Sequence, residues 1–598
     1  MGFVVISWFK NQKIQIEPMR QLTIAFLAVL VFAMQPLHAQ KIGDFVFAKL
    51  PQSYQLYPRA ENNAAEVPIE GVTSNKEITA ISLRITRNGA SYRWQKTLIS
   101  PSVPFATKFF IPAELAEFQV EVYSFKGKDS SLVTSSKNIV AGDAFLVTGQ
   151  SNAWIGPIDE QVYQGEWLRS FGAVQAPDNY GPYNPADTLW SLATGTARIG
   201  PWAAEIAKQL ISYEKIPICI INSAAGGSFI DWHLLLDGSI KSPIDGGNIM
   251  YYKALKSGVL SKVKAIIYRQ GEGEVALNEP NLWGQKFATL ETKYKKYFPS
   301  VQQVIVPQLN VYEFKNLYGS LAREEQRKMH ANDPYIKSFA TVGTRQFDRL
   351  HYGNEGYRQS GLETARIISN VIHKKPWPAE IYSPNIQRAY FASDTEHDKL
   401  YLEFEDGQNL SANLDTTVID ANGKPQKLFL ADHFFWDKYN DATLGNYITN
   451  ITVVDKRRIL IQFKDQYDGT TIGYLPNYHK KFITKEAEYA FAGPFIRNQM
   501  GMRAFSFTSF PITKKDDSVY DFVSSPNPVT QKLSITWPKY VIGNLEIYNM
   551  RGDLIFSYKI DGLKIKEIDV STWAAGNYFI LFTGANGEVF RKRLAVLN

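Results

Sequence analysis

The chain of 598 residues has one cysteine, Cys219, so no disulfide forms within it and its cores must hold by packing alone. Cys219 lies in the apolar run Ile216-Pro217-Ile218-Cys219-Ile220-Ile221, where it reads as a small core residue of a strand and not as a nucleophile. Charge of one sign is also scarce. The 65 Lys and Arg against 58 Asp and Glu leave +7, with no basic cluster, which argues against a nucleic-acid surface. No Cys/His grouping has metal-ligand spacing, no short repeat recurs, and no long polar tract keeps part of the chain from folding. What remains is a globular composition, 45% hydrophobic, 13% aromatic and 21% charged. The length corresponds to about three to five domains of 100–200 residues.

Long apolar runs are missing too. The run near the start, Leu22 to Met34, is too short to cross about 30 Å of hydrocarbon as a helix. It follows Arg20 and leads through Pro36 to the small-residue exit Leu37-His38-Ala39, the pattern of a secretory signal peptide cleaved before Gln40. Met19 opens that segment more naturally than Met1 does. Residues 1–39 are therefore expected to be an extension and signal peptide, and the mature chain is expected to carry no transmembrane span.

From 41 to 140 alternating runs such as Ile81–Ile85, Phe109–Ile111 and Phe118–Tyr123 predict an immunoglobulin-like β-sandwich. The texture then changes. Apolar runs at Ala144–Thr148, Ile216–Asn222, Val263–Tyr268 and Val301–Pro307 alternate with helical patterns at Gly200-Pro201 onward, 282–298, 319–329 and 355–373. Such alternation predicts a three-layer α/β domain over 141–375 with a parallel sheet covered on both faces. After Lys374-Lys375-Pro376-Trp377-Pro378, a strand-and-turn texture predicts a further β-rich module over 380–512. Short strand-like runs at Leu533–Trp537, Gly543–Asn549, Ile568–Val570 and Tyr578–Thr583 predict a last β-sandwich over 520–598.

In an open parallel sheet, ligands gather at the carboxyl ends of the strands. Three predicted strands end there in polar turns: Gly149-Gln150-Ser151-Asn152, Asn222 to Ser228 with its paired glycines, and Tyr268-Arg269-Gln270-Gly271-Glu272. A serine nucleophile needs a base, and the base needs an orienting acid. Among eight histidines the spacing D-x-x-H occurs twice. Asp394 to His397 sits in a charged turn of the later β module and reads as surface. Asp348-Arg349-Leu350-His351 precedes the last helix of the α/β domain, where a loop returns to the strand edge. His233 is the runner-up base, without an acid three residues before it. The segment from Gln161 to Trp190 adds Trp167, Tyr180, Tyr183 and Trp190 as rings that could stack on sugars or fill a core.

Gly149-Gln150-Ser151-Asn152, Asn222 to Ser228, Gln270-Gly271-Glu272 and Asp348-x-x-His351, in this order, resemble the sialate O-acetylesterase branch of the SGNH hydrolases, with a flavodoxin-like fold. The likeness extends through Ile199-Gly200-Pro201-Trp202, and Leu56-Tyr57-Pro58-Arg59 resembles the N-terminal module of such esterases. The resemblance implies a serine carbohydrate esterase acting on O-acetylated sialic acid or another acetylated glycan, without metal or organic cofactor. By the same resemblance Ser151 is the nucleophile, His351 its base and Asp348 the group fixing the imidazole. It likewise implies an oxyanion hole formed by the N–H groups of Ser151 and Gly227 and the side chain of Gln270; Asn152, next to the serine, and Trp190, from the aromatic segment, are the expected substrate contacts. The sequence departs from the usual Gly-Glu-Ser-Asn of such esterases, reading Gly271-Glu272-Gly273-Glu274, which implies lost polar groups there. The alternative is a surface glycan-binding protein on a degenerate esterase scaffold. In the last segment, Ser525-Pro526-Asn527-Pro528, Ile547 to Gly552 and Ala575 to Phe579 resemble the C-terminal sorting domain of type IX secretion. That likeness implies the type IX secretion machinery as partner and a secreted or cell-surface location.

Overall fold

The computed structural model describes residues 40–597 apart from 155–164, 174–183, 194–198, 241–244, 278, 313–317, 394, 421, 437–439, 441, 479–492, 514–520 and 586–588. The signal-peptide expectation for 1–39 lies outside the described residues, as do Tyr180 and Tyr183.

The chain divides into two compact units, the first made of Met1–Gln52, Glu66–Phe110 and Glu117–Ile139 and the second of Ser53–Ala65, Ile111–Ala116 and Val140–Asn598. Within the first unit, Ala90–Leu98, Ala80–Arg87 and Phe118–Lys126 pair in sequence as an antiparallel sheet. Its alternating pattern buries Ile81, Leu83, Ile85, Val120 and Val122. Ser53–Ala65 belongs to the second unit although it lies inside the predicted 41–140 module. The reason is local: Leu56–Pro58 pairs in parallel with Val140, Ala141 and Gly142, and Arg59 grips both oxygens of fully buried Asp143 at 2.9 and 2.8 Å.

The centre of the second unit is built, in chain order, from β1 (Asp129–Gly149, of which Asp143–Gly149 enters this sheet), β2 (Leu168–Phe171), β3 (Trp190–Leu192), α1 (Gly200–Glu214) and β4 (Ile218–Asn222). There follow α2 (Ile230–Leu234), α3 (Gly246–Lys256), β5 (Val263–Arg269), α4 (Glu272–Ala276), α5 (Trp283–Tyr297), β6 (Gln303–Ile305), α6 (Gly319–Asn332), β7 (Ile336–Lys337) and α7 (Asn354–Val371). The sheet order is β3-β2-β4-β1-β5-β6-β7. Every neighbouring pair is parallel except β2 with β3. The strands β4 and β5 are Ile-rich and, like the Asp143–Gly149 part of β1, buried along almost their whole length, as covering on both faces requires. Cys219 lies fully buried in β4, and burial pushes its thiol pKa up, so it is core. Helix α1 starts with Pro201 at its first turn and crosses α7 where Gly361 leaves no Cβ to strike Glu205.

After α7 a seven-stranded sheet joins residues Ile386–Phe391, Lys399–Phe404, Phe434–Trp436, Ile448–Val453, Arg458–Phe463, Thr471–Tyr474 and Phe507–Thr513. It is tied to the α/β centre by buried Arg503, which donates to Glu363 of α7 and, at 3.1 and 2.8 Å, to the carbonyls of Val342 and Ala340. The last sheet, Val523–Ser525, Lys532–Asn549, Leu554–Asp569, Gly576–Gly584 and Val589–Val596, closes over Trp537, Leu545, Ile580 and Phe582. No helix among the described residues is long and apolar enough to cross a membrane.

Candidate active site

β1 is the strand at which the sheet order reverses, with β4 on one side and β5 on the other. The crevice at its carboxyl end is the expected ligand position in an open α/β sheet. The strand ends at Gly149 (φ +132°), where a Cβ would lie 2.0 Å from the carbonyl oxygen of Arg269. Only glycine lets β1 press so close to β5 and turn. The turn delivers Ser151, 8% exposed, into that crevice.

His351 arrives from the loop before α7, and its Nε2 lies 2.9 Å from Ser151 Oγ. This is hydrogen-bonding distance for a nucleophile and its base. Asp348 Oδ1 accepts the N–H groups of Leu350 (3.0 Å) and His351 (2.7 Å), and Asp348 N–H donates to His351 O at 2.9 Å. Among the described residues no hydrogen bond joins the Asp348 carboxylate to the imidazole ring. Asp348 holds His351 through its main chain. The turn forces Arg349 to φ +106°, an uncommon conformation for a side-chain-bearing residue.

The paired glycines lie across the crevice. A Cβ on Gly226 would sit 4.0 Å from Ser151 Cβ, whereas one on Gly227 (φ +70°) meets nothing within 4 Å. Among the described residues neither these N–H groups nor that of Ser151 has a protein acceptor, so they are free for a substrate oxygen. Gln270 is different. Its Nε2 donates to Glu274 Oε2 at 2.5 Å and to Ser228 O at 3.2 Å, while its Oε1 accepts from Trp283 Nε1 at 2.9 Å and Tyr268 OH at 3.2 Å. Both amide hydrogens are committed away from Ser151, so the expected side-chain donor to the oxyanion is spoken for.

The two residues expected to touch substrate are also engaged elsewhere. Asn152 is fully buried. Its Nδ2 donates to Glu272 Oε1 (2.7 Å) and Leu350 O (2.9 Å), and its Oδ1 accepts from Tyr357 OH (3.0 Å). It therefore ties the nucleophile turn to the histidine loop. Trp190, on β3, is buried edge-to-face against Phe171, ring centres 5.5 Å apart, so its faces are core and not a platform for sugar. His233 is 0% exposed, and burial holds its pKa at about 3. It lies 3.3 Å from Ser228 Oγ and is bonded there, not to Ser151.

Several residues that organise the site give no separate signal in the sequence. Asn222 donates to Ala153 O and Ile199 O, both at 3.0 Å, pinning the turn after Ser151. Gln150 Oε1 accepts from Gly271 N (3.4 Å) and Gly273 N (3.3 Å). Glu272 and Glu274 are both buried and both point inward. The loop expected to lack polar groups instead carries two carboxylates, each bonded to a neighbouring turn. Their positions in and just after the Gln270-Gly271-Glu272 block are the one available hint.

With this geometry in view, the family comparison is decisive for the domain. Residues 141–370 match the family model described as carbohydrate esterase, sialic acid-specific acetylesterase. The chain carries a carbohydrate-esterase domain. Residues 525–596 match the secretion system C-terminal sorting domain, which directs the esterase to type IX secretion and so to the cell surface or beyond. A solved carbohydrate acetylesterase of Xanthomonas citri superposes with a TM-score of 0.52 at 16% identity, covering 76% of this chain and 97% of that one, a likeness of fold. A protein of Arabidopsis thaliana matches over 38% of this chain and 98% of its own, at 18% identity and a TM-score of 0.29. No curated protein matches the chain.

Proposed function

We propose that this secreted esterase is a serine enzyme of the SGNH type that removes O-acetyl groups from sialic acid or another acetylated glycan. The observation that carries this reading is the 2.9 Å contact between Ser151 Oγ and His351 Nε2 at the switch point of the sheet. Ser151 Oγ attacks the acetyl carbonyl, its proton passes to His351 Nε2, and the oxyanion forms beside the N–H groups of Ser151 and Gly227. His351 then gives the proton to the departing sugar oxygen, leaving an acetyl-serine. Water, deprotonated by the same nitrogen, attacks that ester, and acetate leaves as Ser151 recovers its proton. Asp348 keeps the histidine turn in place. Each backbone donor to the oxyanion is worth about 3–4 kcal/mol of transition-state stabilisation. In this reading the segment 41–140 is an immunoglobulin-like β-sandwich and 380–512 a β-rich module, flanking the esterase domain.

The test is acetate release from O-acetylated sialic acid and from acetylated xylan by the purified protein and its Ser151→Ala variant. Release that disappears in the variant supports the serine mechanism, and the ratio between substrates selects the glycan. A folded wild-type protein releasing acetate from neither sends the assignment to a glycan-binding role on the same scaffold.

A further inference from the structure

Glu274 departs from the pattern of the esterases this domain resembles, and it is 1% exposed. A carboxylate is rarely buried so deeply without partners that only a carboxylate satisfies. Here both partners are donors. The N–H of Ile230, the first residue of α2, lies 2.7 Å from Glu274 Oε1, and Gln270 Nε2 lies 2.5 Å from Oε2. An ionised carboxylate accepts at both ends, whereas an amide must turn an NH₂ toward one of the two donors.

Both contacts lead to the same place. Ile230 closely follows the glycine turn, and Gln270 spends its second hydrogen on Ser228 O, next to Gly227. A separate observation concerns the preceding residue. A Cβ on Gly273 would come within 2.8 Å of the Phe229 ring, so the small residue there admits close approach of the same segment. Gly273 and Glu274, the two departures in this block, therefore both bear on residues 228–230.

We propose that Glu274 is a positioning residue for the oxyanion hole: it holds the Gly226–Gly227 turn through Ile230 and, by way of Gln270, through Ser228, so that Gln270 acts as a brace and not as an oxyanion donor. This inference rests on the serine-esterase reading above. Misplacing the backbone donors costs transition-state stabilisation and leaves ground-state binding intact.

The test uses the full chain and 4-nitrophenyl acetate. Glu274→Gln is expected to lower kcat about 10–100-fold, with KM within about twofold of wild type, the signature of an interaction made only in the transition state. If Gln270 instead donated to the oxyanion, freeing its amide from Glu274 would leave kcat unchanged or raise it, and that result overturns the proposal. The double variant with Gln270→Ala is expected to be no slower than the slower single variant, since both act through one path. Multiplicative losses count against it. Should Glu274→Gln fail to melt cooperatively, Ile230→Pro carries the test. It deletes the donated N–H at a first helical position, where proline is accepted; a lower kcat at constant KM supports the proposal and an unchanged kcat overturns it. Ser151→Ala is measured alongside. Its inactivity together with an unimpaired Glu274→Gln sinks the positioning role alone, and full activity in Ser151→Ala sinks the esterase reading with it.

Discussion

His233 makes the stability of the esterase domain depend on pH in a way that can be isolated. Its ring is enclosed by Trp232 and Tyr268, at ring-centre distances of 5.2 Å each, and bonded at Nε2 to Ser228 Oγ. The Ser228 hydroxyl also lies 3.3 Å from Gly149 O. If it donates there, Nε2 carries the hydrogen and Nδ1 is left bare and buried, with no hydrogen-bond partner among the described residues. Protonation would put a cation into this enclosure, which is why burial lowers the pKa from 6.5 to about 3. Between those values the unfolded chain binds a proton that the folded chain refuses, so stability falls as pH falls below about 6.5. From pH 7 to pH 5 the loss is about 2 kcal/mol, since each tenfold rise in proton concentration through that window favours the unfolded chain by about 1.4 kcal/mol. For a domain of this size that is a fall of about 4–8 °C in Tm. Calorimetry on the wild type and His233→Gln at the two pH values reads the difference of differences, which cancels the packing lost with the ring. The variant's transition is expected to drop by that much less. Equal drops in the two proteins would refute the argument.

The glycine pair separates crowding from backbone strain. Gly226→Ala adds a methyl in ordinary contact with Ser151 at no cost in φ, so kcat/KM is expected to fall about tenfold or more with Tm unchanged. Gly227→Ala meets no atom but holds alanine at φ +70°, and is expected to lose about 1 kcal/mol of stability; a reversal of the two readouts in melting and steady-state assays would contradict the geometry. At Asp348, asparagine keeps an oxygen for the N–H groups of Leu350 and His351, so Asp348→Asn is expected to retain at least about tenfold more kcat than Asp348→Ala, because orientation survives even as the charge is lost. Equal losses on 4-nitrophenyl acetate would return the carboxylate to the imidazole.

How much of this is legible in the sequence depends on the range of the interaction involved. The run Val263–Tyr268 becomes β5, and the stretch 282–298 becomes α5, because each is written in local periodicity. The helices α2 and α3 escape such a reading: five residues at Ile230–Leu234 are too few for a period, and α3 starts on Gly246-Gly247, a pair that reads as a turn. β2 reads as loop because Leu168–Phe171 carries Arg169 and Ser170, and the parallel sheet buries both of them. At the site, turn position and spacing single out Ser151 and His351. What side chains do after arriving is not legible. Trp190 reads as a sugar platform and Gln270 as a donor, but Trp190 packs on Phe171 and the amide hydrogens of Gln270 go to Glu274 and to the carbonyl of Ser228, which lies far away in sequence.

Three carboxylates of the site, buried Glu272 and Glu274 and exposed Asp348, share one arithmetic. Asp348 absorbs the N–H groups of Leu350 and His351, Glu272 Oε1 absorbs Asn152 Nδ2 and Tyr312 OH, and Glu274 absorbs Ile230 N–H and Gln270 Nε2. Each takes two donors from its surroundings, and a single acceptor-only group suits that task better than an amide. Neutral residues in place of Glu272 and Glu274 would leave buried donors unpaired at about 1–3 kcal/mol each. The donors left over are the N–H groups of Ser151, Gly226 and Gly227, which face the nucleophile's crevice and not the protein. A hole for an oxyanion is thus defined as much by the donors the carboxylates remove as by the ones the backbone offers, and a carboxylate that never touches substrate decides which N–H groups remain to meet it.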